Sequence, residues 1–306
     1  MRVKLRLIRL WCRALRVDQW TKNGVVMLAW FFSVADASQR DIVRGWQSFL
    51  LAFFMAGAFS LISSAFYLLN DVSDYEADRK HPVKRHRPVA ANLIDKILAV
   101  RVGLTLFAIG FAYPAVIVIL SPSRTTAFAT VLAYTVMQCL YTGFLKRVPY
   151  IDVVILSMGF VLRAMAGAAI ITAYISPWLL ICTFTLSLFL ALCKRRHEMA
   201  LGTNYEVRKV LSGYHPRLLK VLIGAAAVAS VTEYLTYTLT SKMGTRFPYL
   251  WVTTIFVAWG ILRYALLAKE NKDTGRPEKI LLTDKILWVI LAGYGISSVT
   301  VVALGL

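Results

Sequence analysis

Long, nearly uncharged apolar stretches recur along the whole chain, and their length limits the folds that it can adopt. An α-helix rises about 1.5 Å per residue, so about 20 apolar residues cross the ~30 Å hydrocarbon core of a bilayer. Stretches near this length, the first of them shorter, are residues 24–35, 49–69, 102–120, 125–145, 153–173, 177–193, 221–240, 248–268 and 286–306. With 306 residues, 58% of them hydrophobic, and a mean hydropathy of +0.62, the chain has more apolar surface than a soluble core buries. The sequence therefore predicts an all-α integral membrane protein, a single domain over residues 1–306 built as a bundle of about nine transmembrane helices.

The positions of lysine and arginine predict how these helices are oriented. With nine spans, most basic residues fall in the N-terminal segment and in the loops after the even-numbered spans. The opposite side carries few of them, namely Arg40, Arg44, Arg124, Lys242 and Arg246. Because cytoplasmic loops are enriched in Lys and Arg, the N-terminus and the basic loops are expected in the cytoplasm. Topology thus accounts for much of the net charge of +19, and nucleic-acid binding is not indicated.

Residues 1–18 form a basic segment of their own before the first span. Leu5, Ile8 and Trp11 recur at helical spacing, and the arginines are offset from them. This pattern is typical of an amphipathic helix that lies on the cytoplasmic leaflet. The four cysteines show no CxxC spacing, so neither a zinc site nor a disulfide framework is suggested.

A group of acids stands at the end of the second apolar stretch, in the segment Asn70-Asp71-x-x-Asp74-x-x-x-Asp78. At about 100° per residue the three aspartates fall at roughly 0°, 300° and 340°, so a continuous helix would gather them on one face. Like charges this close repel each other unless a cation lies among them, and oxygen ligands of this kind suit a Mg²⁺ that also holds a phosphate. The three aspartates are therefore candidate metal ligands, with Asn70 as a further ligand nearby.

Three basic residues, Lys84, Arg85 and Arg87, follow these acids after a short turn. Acids for a metal and bases for phosphate oxygens together indicate a magnesium–diphosphate site. The alternative is a solvated helix end with an ordinary cytoplasmic charge cluster.

Further polar residues are predicted to face the same compartment at the end of the fourth span and in the fifth. Tyr141, Lys146 and Asp152 flank a very short loop, and Arg163 lies inside the fifth span. An arginine within a span costs roughly 2.5 to 3.5 kcal/mol on insertion scales, so Arg163 is expected to face a wet or anionic cavity. Structural pairing of Arg163 with a neighbouring helix is the alternative, and Lys146 could be an ordinary topology marker.

The sixth span ends in Lys194 and Arg195, with Glu198 one turn after Lys194. Consecutive bases point in different directions on a helix, so at most two of Lys194, Arg195 and Arg196 can reach one ligand. We count Lys194, Arg195 and Glu198 as candidate substrate-binding residues. No Gly-rich phosphate loop, GxSxG elbow or HExxH motif is present, so an active site here must be built between helix ends.

The acidic segment at residues 70–78 resembles the first signature of the UbiA superfamily of intramembrane prenyltransferases in residue types, spacing and place in the topology. Other segments are more similar to one branch, the decaprenyl-phosphate phosphoribosyltransferases. They are Gln19-Trp20-x-Lys22-Asn23, His81-Pro82-x-Lys84-Arg85-x-Arg87-Pro88, Leu162-Arg163-Ala164-x-Ala166-Gly167, and Lys194-Arg195 with Glu198.

This resemblance implies a function and a set of partners. The expected reaction is the Mg²⁺-dependent transfer of 5-phosphoribose from phosphoribosyl diphosphate to a decaprenyl-type polyprenyl phosphate, with release of diphosphate, as in cell-wall biosynthesis. The expected location is the bacterial inner membrane, with the active site at the cytoplasmic helix ends. Asp71, Asp74, Asp78 and Arg163 are expected to be catalytic, and Mg²⁺ is the expected cofactor.

One departure from the aromatic prenyltransferases of the superfamily bears on the substrate. Their second acidic signature, after the sixth span, is absent, and Lys194, Arg195 and Arg196 stand where those acids would be. Bases in place of metal-binding acids imply that an anion binds there directly, which matches the additional phosphates of a phosphoribosyl donor and a lipid-phosphate acceptor. The alternatives are an aromatic prenyltransferase with a polyprenyl diphosphate donor, and a non-catalytic lipid-phosphate carrier.

Overall fold

The computed structural model describes residues 2–35, 45–81, 84–200, 209–269, 280 and 283–305, and within these ranges it contains helices and no strands. The α-helices, numbered α1 to α12 in chain order, are Arg2–Ala14, Leu28–Ala35, Trp46–Ser73, Tyr75–Lys80, Lys96–Leu120, Thr125–Gly143, Ile151–Ile170, Pro177–Ala200, Pro216–Thr240, Lys242–Arg246, Thr253–Lys269 and Lys285–Leu304. Short 3₁₀ helices are Val17–Met27, Lys84–His86, Pro122–Arg124, Leu145–Arg147, Lys209–Gly213 and Pro248–Val252. The all-α fold that the sequence predicts is confirmed.

Seven helical segments in the described part of the chain are long and apolar enough to cross a membrane. They are α3, α5, α7, α8, α9, the segment Pro248–Lys269 that contains α11, and α12. The other two predicted spans are also helical, but α2 has only 8 residues and α6 has 19 with several threonines. The count of nine spans therefore stays a prediction, whereas a multi-span helical membrane protein is confirmed.

The chain divides into two compact units. The first contains the residues up to Thr142 together with Leu162–Tyr174, and the second contains Gly143–Val161 and the residues from Ile175 onward. Helix α7 contributes its beginning to the second unit and its end to the first. The prediction of a single domain over residues 1–306 stays a prediction.

In the first unit, a small apolar core holds the end of α1 against the end of α3 and the start of α5. Ala14, Leu68 and Ala99, one from each of these helices, are all buried in this core. Helix α5 begins after Asp95, whose carboxylate accepts hydrogen bonds from two backbone N–H groups of the first turn at 2.8 and 3.2 Å. N-caps of this kind satisfy donors that a helix start otherwise leaves open. Packing and capping together fix the segment that carries the acidic residues.

The second unit has a larger core, formed by α8, α9, α11 and α12. Phe189, Leu192, Tyr264 and Leu267 lie in it, and Tyr214 from the connection between α8 and α9 is buried at its edge. The polar end of α8 therefore follows a helix segment that packs in a core containing the aromatic residues Phe189, Tyr214 and Tyr264.

Candidate active site

The acidic segment begins on the last turn of α3 and ends on α4. Helix α3 stops at Ser73, Asp74 adopts φ −89° and ψ 8°, and α4 begins at Tyr75. The prediction of one unbroken helix through the three aspartates was therefore wrong in this detail. Ser and Asp bond readily to nearby backbone and are poor in helix interiors, which accounts for a break here. Helical hydrogen bonding nevertheless continues across it, because Asp74 N donates to Asn70 O and Asp78 N donates to Asp74 O, both at 2.8 Å.

Two of the three aspartates are buried and share one guanidinium group. Asp71 and Asp78 are 2% and 1% exposed. Arg87 Nη1 lies 3.0 Å from Asp71 Oδ1 and 2.7 Å from Asp78 Oδ2, and Lys84 Nζ lies 3.9 Å from Asp78 Oδ1. Asp74 is half-buried. The structure thus brings Arg87 and Lys84 to the acids, as the sequence pattern predicts.

The remaining predicted residues of this group lie at its margin. Arg85 is exposed, and its Nε donates a hydrogen bond of 3.4 Å to His86 Nε2. The amide of Asn70 donates to Thr142 Oγ1 at 3.5 Å. Tyr141 is half-buried near the end of α6. None of these contacts decides a role for Asn70, Arg85 or Tyr141, which stay candidate site residues.

Arg16 contacts the acidic cluster, which consists of Asp71, Asp74 and Asp78, and sequence reasoning missed this contact. Its Nη2 lies 2.8 Å from Asp71 Oδ1, and its guanidinium lies 4.3 Å from the centre of the Tyr67 ring. Arg16 follows α1 and has the left-handed backbone conformation, with φ 51°. Residues other than glycine adopt this conformation rarely. Such conformations cluster at functional sites. The only sequence signal was its position just before the segment Gln19–Asn23.

His81 shapes the turn between the acids and the bases. Its Nδ1 accepts a hydrogen bond of 3.2 Å from the backbone N–H of Lys84. Burial, and next the neighbouring Lys84 charge, lower the pKa of His81 below its usual value. The imidazole is therefore neutral at pH 7, which is the form that can accept this bond.

The carboxylate oxygens of this cluster are suitable ligands for a divalent cation, although the side chains are not arranged in a metal-coordinating geometry. Among the described residues, no three His, Cys, Asp or Glu side chains are placed to hold a metal together. The carboxylates of Asp71 and Asp78 instead converge on Arg87 Nη1. Two buried carboxylates around one positive group are the oxygen ligands that Mg²⁺ prefers, and their negative charge requires a cation.

Arg163 lies at the centre of a second polar network in the first unit. It is 8% exposed. Its Nε donates to Asn23 Oδ1 and its Nη2 donates to the hydroxyl of Tyr134, both at 2.7 Å. Asn23 in turn donates to Ser60 Oγ at 2.9 Å. These contacts favour the structural pairing that the sequence left open, and they show that Asn23 and Tyr134 hold the arginine.

A third polar network lies in the second unit and contains three of the predicted residues. Arg195 is 1% exposed, and it bonds Asp152 Oδ2 through Nε at 2.7 Å and Glu198 Oε2 through Nη1 at 2.6 Å. The hydroxyl of Tyr214 donates to Asp152 Oδ1. Burial, and next the hydrogen bond to Asp152, raise the pKa of Tyr214 above its usual range, so it remains a neutral donor. Lys194 and Lys146 are half-buried.

Comparison with known proteins gives a family and several relatives. The model of the UbiA prenyltransferase family matches residues 25–291. A decaprenyl-phosphate phosphoribosyltransferase of Corynebacterium glutamicum is 35% identical over 91% of this chain and 82% of the relative. One from Mycobacterium tuberculosis is 31% identical over 93% of each chain. The solved structure of a UbiA homolog from Archaeoglobus fulgidus bound to GPP and Mg²⁺ superposes with a TM-score of 0.68, at 18% identity over 97% of this chain and 98% of the other. That last likeness concerns the fold alone.

Proposed function

The chain belongs to the UbiA prenyltransferase family and is a membrane-bound transferase, and from this premise we propose that it transfers 5-phosphoribose from phosphoribosyl diphosphate to a polyprenyl phosphate. The observation that carries the proposal is the similarity of nearly the whole chain to relatives named decaprenyl-phosphate phosphoribosyltransferase. The acidic and basic cluster of the first unit and the bases at the end of α8 support it, because the reaction handles a diphosphate and additional phosphates.

The donor's diphosphate is proposed to bind at the acidic cluster. Asp71, Asp74 and Asp78, with Asn70 assisting, would hold Mg²⁺, which supplies neutralisation of the leaving group's negative charge. Arg87 already lies beside two of these acids, and its guanidinium would bind phosphate oxygens of the donor. Lys84 and Arg85 are proposed to add positive charge from the same turn.

The chemistry requires positioning more than proton transfer. The bond between ribose C1 and the diphosphate oxygen breaks, diphosphate leaves with the electron pair, and an oxygen of the lipid phosphate forms the new bond to C1. Because that oxygen is already anionic, no general base is required. Fixed positive charge near the developing diphosphate lowers the barrier, and the protein's remaining task is to hold donor and acceptor in line.

The sequence pattern leads us to propose Lys146 and Lys194 as ligands of additional phosphate groups. Lys146 and Lys194 are half-buried. Arg195 forms ion pairs with Asp152 and Glu198. We therefore assign Arg195 a positioning role, in which it fixes the end of α8 that presents Lys194. Tyr141 and Arg163 are proposed to support the site from α6 and α7.

The setting proposed for this reaction is the bacterial inner membrane, with the site facing the cytoplasm, where a soluble sugar donor is available. The polyprenyl tail would remain in the bilayer, since burying it in protein is not needed to remove it from water. The basic helix α1 is proposed to lie on the same leaflet, because it exposes Leu5 and Ile8 beside its arginines.

A direct assay tests the proposal. Purified protein is incubated with Mg²⁺, phosphoribosyl diphosphate labelled in the ribose, and decaprenyl phosphate, and in parallel with geranyl diphosphate and 4-hydroxybenzoate. We expect ribose label in the lipid phase. A prenylated aromatic product alone would support an aromatic prenyltransferase instead, and no product in either reaction would support a non-catalytic carrier.

Replacing one acid tests the role of the cluster. Asp74→Asn keeps the size of a half-buried side chain and removes its charge, so we expect the fold to persist and the turnover to fall by about a hundredfold or more. Glu76→Gln is the matched control, because Glu76 lies two residues after Asp74, in α4, with its side chain 76% exposed. Ribose transfer by Asp74→Asn at the rate of the control would contradict the proposed metal role.

A further inference from the structure

We infer that Arg16 and Arg87 are exchangeable counter-ions of the acidic cluster. In the structure they pair with Asp71 and Asp78, and they are displaced when a divalent cation binds these carboxylates. The two guanidinium groups released in this way then bind the diphosphate of the donor. The second half of this inference rests on the proposed function, whereas the exchange itself does not.

Two arginines contact the carboxylates that are proposed to hold the metal. Arg87 Nη1 lies within 3.0 Å of an oxygen from each of two different carboxylates. Arg16 Nη2 approaches the same Asp71 oxygen at 2.8 Å. Charges buried this deeply are stable only with a partner, so the two carboxylates need positive charge in every state of the protein. Two guanidinium groups carry the same total charge as one divalent cation, and an exchange would leave the net charge of the cluster unchanged.

The burial of the partners indicates which of them can move. The side chains of Asp71 and Asp78 are 3% and 2% exposed, whereas those of Arg16 and Arg87 are 23% and 30% exposed. The carboxylates therefore lie behind the arginines, and only the arginines have room to move toward solvent. Long, flexible side chains of this kind can give up an ion pair without a change in the backbone.

Arg16 is the new member of the proposed machinery. Its guanidinium is aligned by the Tyr67 ring, 4.3 Å away, which stabilises the positive charge without committing its hydrogen-bond donors. After displacement from Asp71, its planar fork would be available to phosphate oxygens, for which guanidinium geometry is well suited. Arg16 is thus a counter-ion of Asp71 that competes with the metal, and a candidate ligand of the diphosphate.

Competition between the arginines and a metal gives a test that a merely structural role cannot imitate. Mn²⁺ binding to the purified full-length protein is measured by electron paramagnetic resonance of the free ion, with neither donor nor acceptor present. We expect Arg16→Gln and Arg87→Gln each to bind Mn²⁺ about tenfold more tightly than the unsubstituted protein, because the competing cation is gone. A substitution that only damages the fold would weaken binding.

Arg13→Gln is the matched control. It removes one positive charge from the same region, but Arg13 Nη2 bonds the His86 carbonyl oxygen at 2.8 Å and not a carboxylate. Tighter Mn²⁺ binding in either cluster variant and unchanged binding in Arg13→Gln supports the exchange. Unchanged or weaker binding in both cluster variants overturns it, and so does an equal gain in the control, which would reflect net charge alone.

A second measurement tests the released arginines. In saturating Mg²⁺, we expect both cluster variants to bind inorganic diphosphate about tenfold more weakly than the control does. Undiminished binding would overturn the diphosphate role of Arg16 and Arg87. Since neither measurement uses ribose or lipid, the inference remains decidable even if the labelled-donor assay shows that the proposed function is wrong.

Discussion

At the scale of single residues, Arg163 shows how this protein keeps a charge inside a membrane-spanning helix. The hydroxyl of Tyr134 accepts hydrogen bonds from Arg163 Nη2 and from Gln138 Nε2, both at 2.7 Å, and the arginine also lies 4.7 Å from the centre of the Tyr134 ring. Tyr134 therefore stabilises the Arg163 guanidinium in two ways, by a hydrogen bond to its hydroxyl and by a cation–π contact with its ring. Loss of the hydroxyl alone would separate these two contributions.

We expect Tyr134→Phe to lower the free energy of unfolding in detergent by about 1 to 2 kcal/mol, because it leaves a buried guanidinium donor unsatisfied. The measurement is a thermal or denaturant unfolding curve, with the exposed Tyr249→Phe as the control. In an Arg163→Met background the same change should cost much less. An equal cost in both backgrounds would show that the hydroxyl does not act through Arg163.

Part of the candidate site could be predicted from single residues and part could not. Asp71, Asp78 and Arg87 lie within one short stretch of sequence, so charge and spacing sufficed to predict that acids and bases meet. Arg16 is 55 positions away from Asp71, and its contact depends on how α1 packs on α3. Hydropathy and spacing carry no information about such packing. The ion pair between Arg195 and Asp152 could not be predicted for the same reason, since 43 positions separate the two residues.

At the scale of elements, Gly167 permits a close approach between α7 and the 3₁₀ helix Val17–Met27. A Cβ atom at Gly167 would lie 1.9 Å from the carbonyl oxygen of Val26, so any side chain forces the two elements apart. We expect Gly167→Ala to destabilise the protein by about 2 kcal/mol, as overpacking of a close contact does.

Gly57→Ala is the control for this substitution, measured by the same unfolding curves. Gly57 lies in α3, a Cβ atom added there would meet no other atom within 4 Å, and alanine favours helix over glycine. We expect its stability to be unchanged or slightly higher. Equal losses in the two variants would mean that helix flexibility, and not the contact with Val26, explains the result.

The start of α12 should respond to acid. Asp284 caps this helix by accepting from Leu287 N at 2.9 Å, and its carboxylate pairs with Arg263 at 2.7 Å. The hydrogen bond from Arg263 is the main cause that lowers the pKa of Asp284 below its usual value. A depressed pKa in the folded state stabilises the protein above the unfolded value of about 3.9, and this contribution is lost as the pH falls through the folded value.

We therefore expect Asp284→Asn to cost about 1 kcal/mol of stability at pH 7, and the difference from the unsubstituted protein to shrink as the pH falls below about 4. Unfolding curves at pH 7, 5 and 3 measure this. A difference that stays constant over that range would show that the carboxylate charge does not contribute.

Hydropathy predicted the elements better than their ends. All nine apolar segments are mostly helical where the structure describes them, because a long apolar run in a membrane must satisfy its own backbone hydrogen bonds. The 3₁₀ helix before α2 and the break at Asp74 were not predicted. Both depend on local backbone geometry, to which an average over many residues is insensitive.

At the scale of the whole molecule, the number of helices and their sidedness rest on different physics. Helix formation follows from apolar length, and it is seen directly. The division into two compact units, with α7 contributing to both, follows from contacts between distant segments and has no signature in the sequence. Sidedness follows from the distribution of Lys and Arg, and the proposed cytoplasmic site depends on it.

Two positions on opposite predicted sides test that sidedness. In a background without the four cysteines, Arg9→Cys places a thiol on α1, and Ser123→Cys places one in the connection between α5 and α6, both at exposed positions. Because the positive charge of α1 should hold it at the cytoplasmic leaflet, we expect a membrane-impermeant maleimide to label Ser123→Cys in intact cells. Arg9→Cys should react only in inverted membrane vesicles. Labelling of both positions from the same side would contradict an odd number of spans between them. Labelling of Arg9→Cys in intact cells would show the opposite orientation, in which the acidic cluster faces away from a cytoplasmic donor.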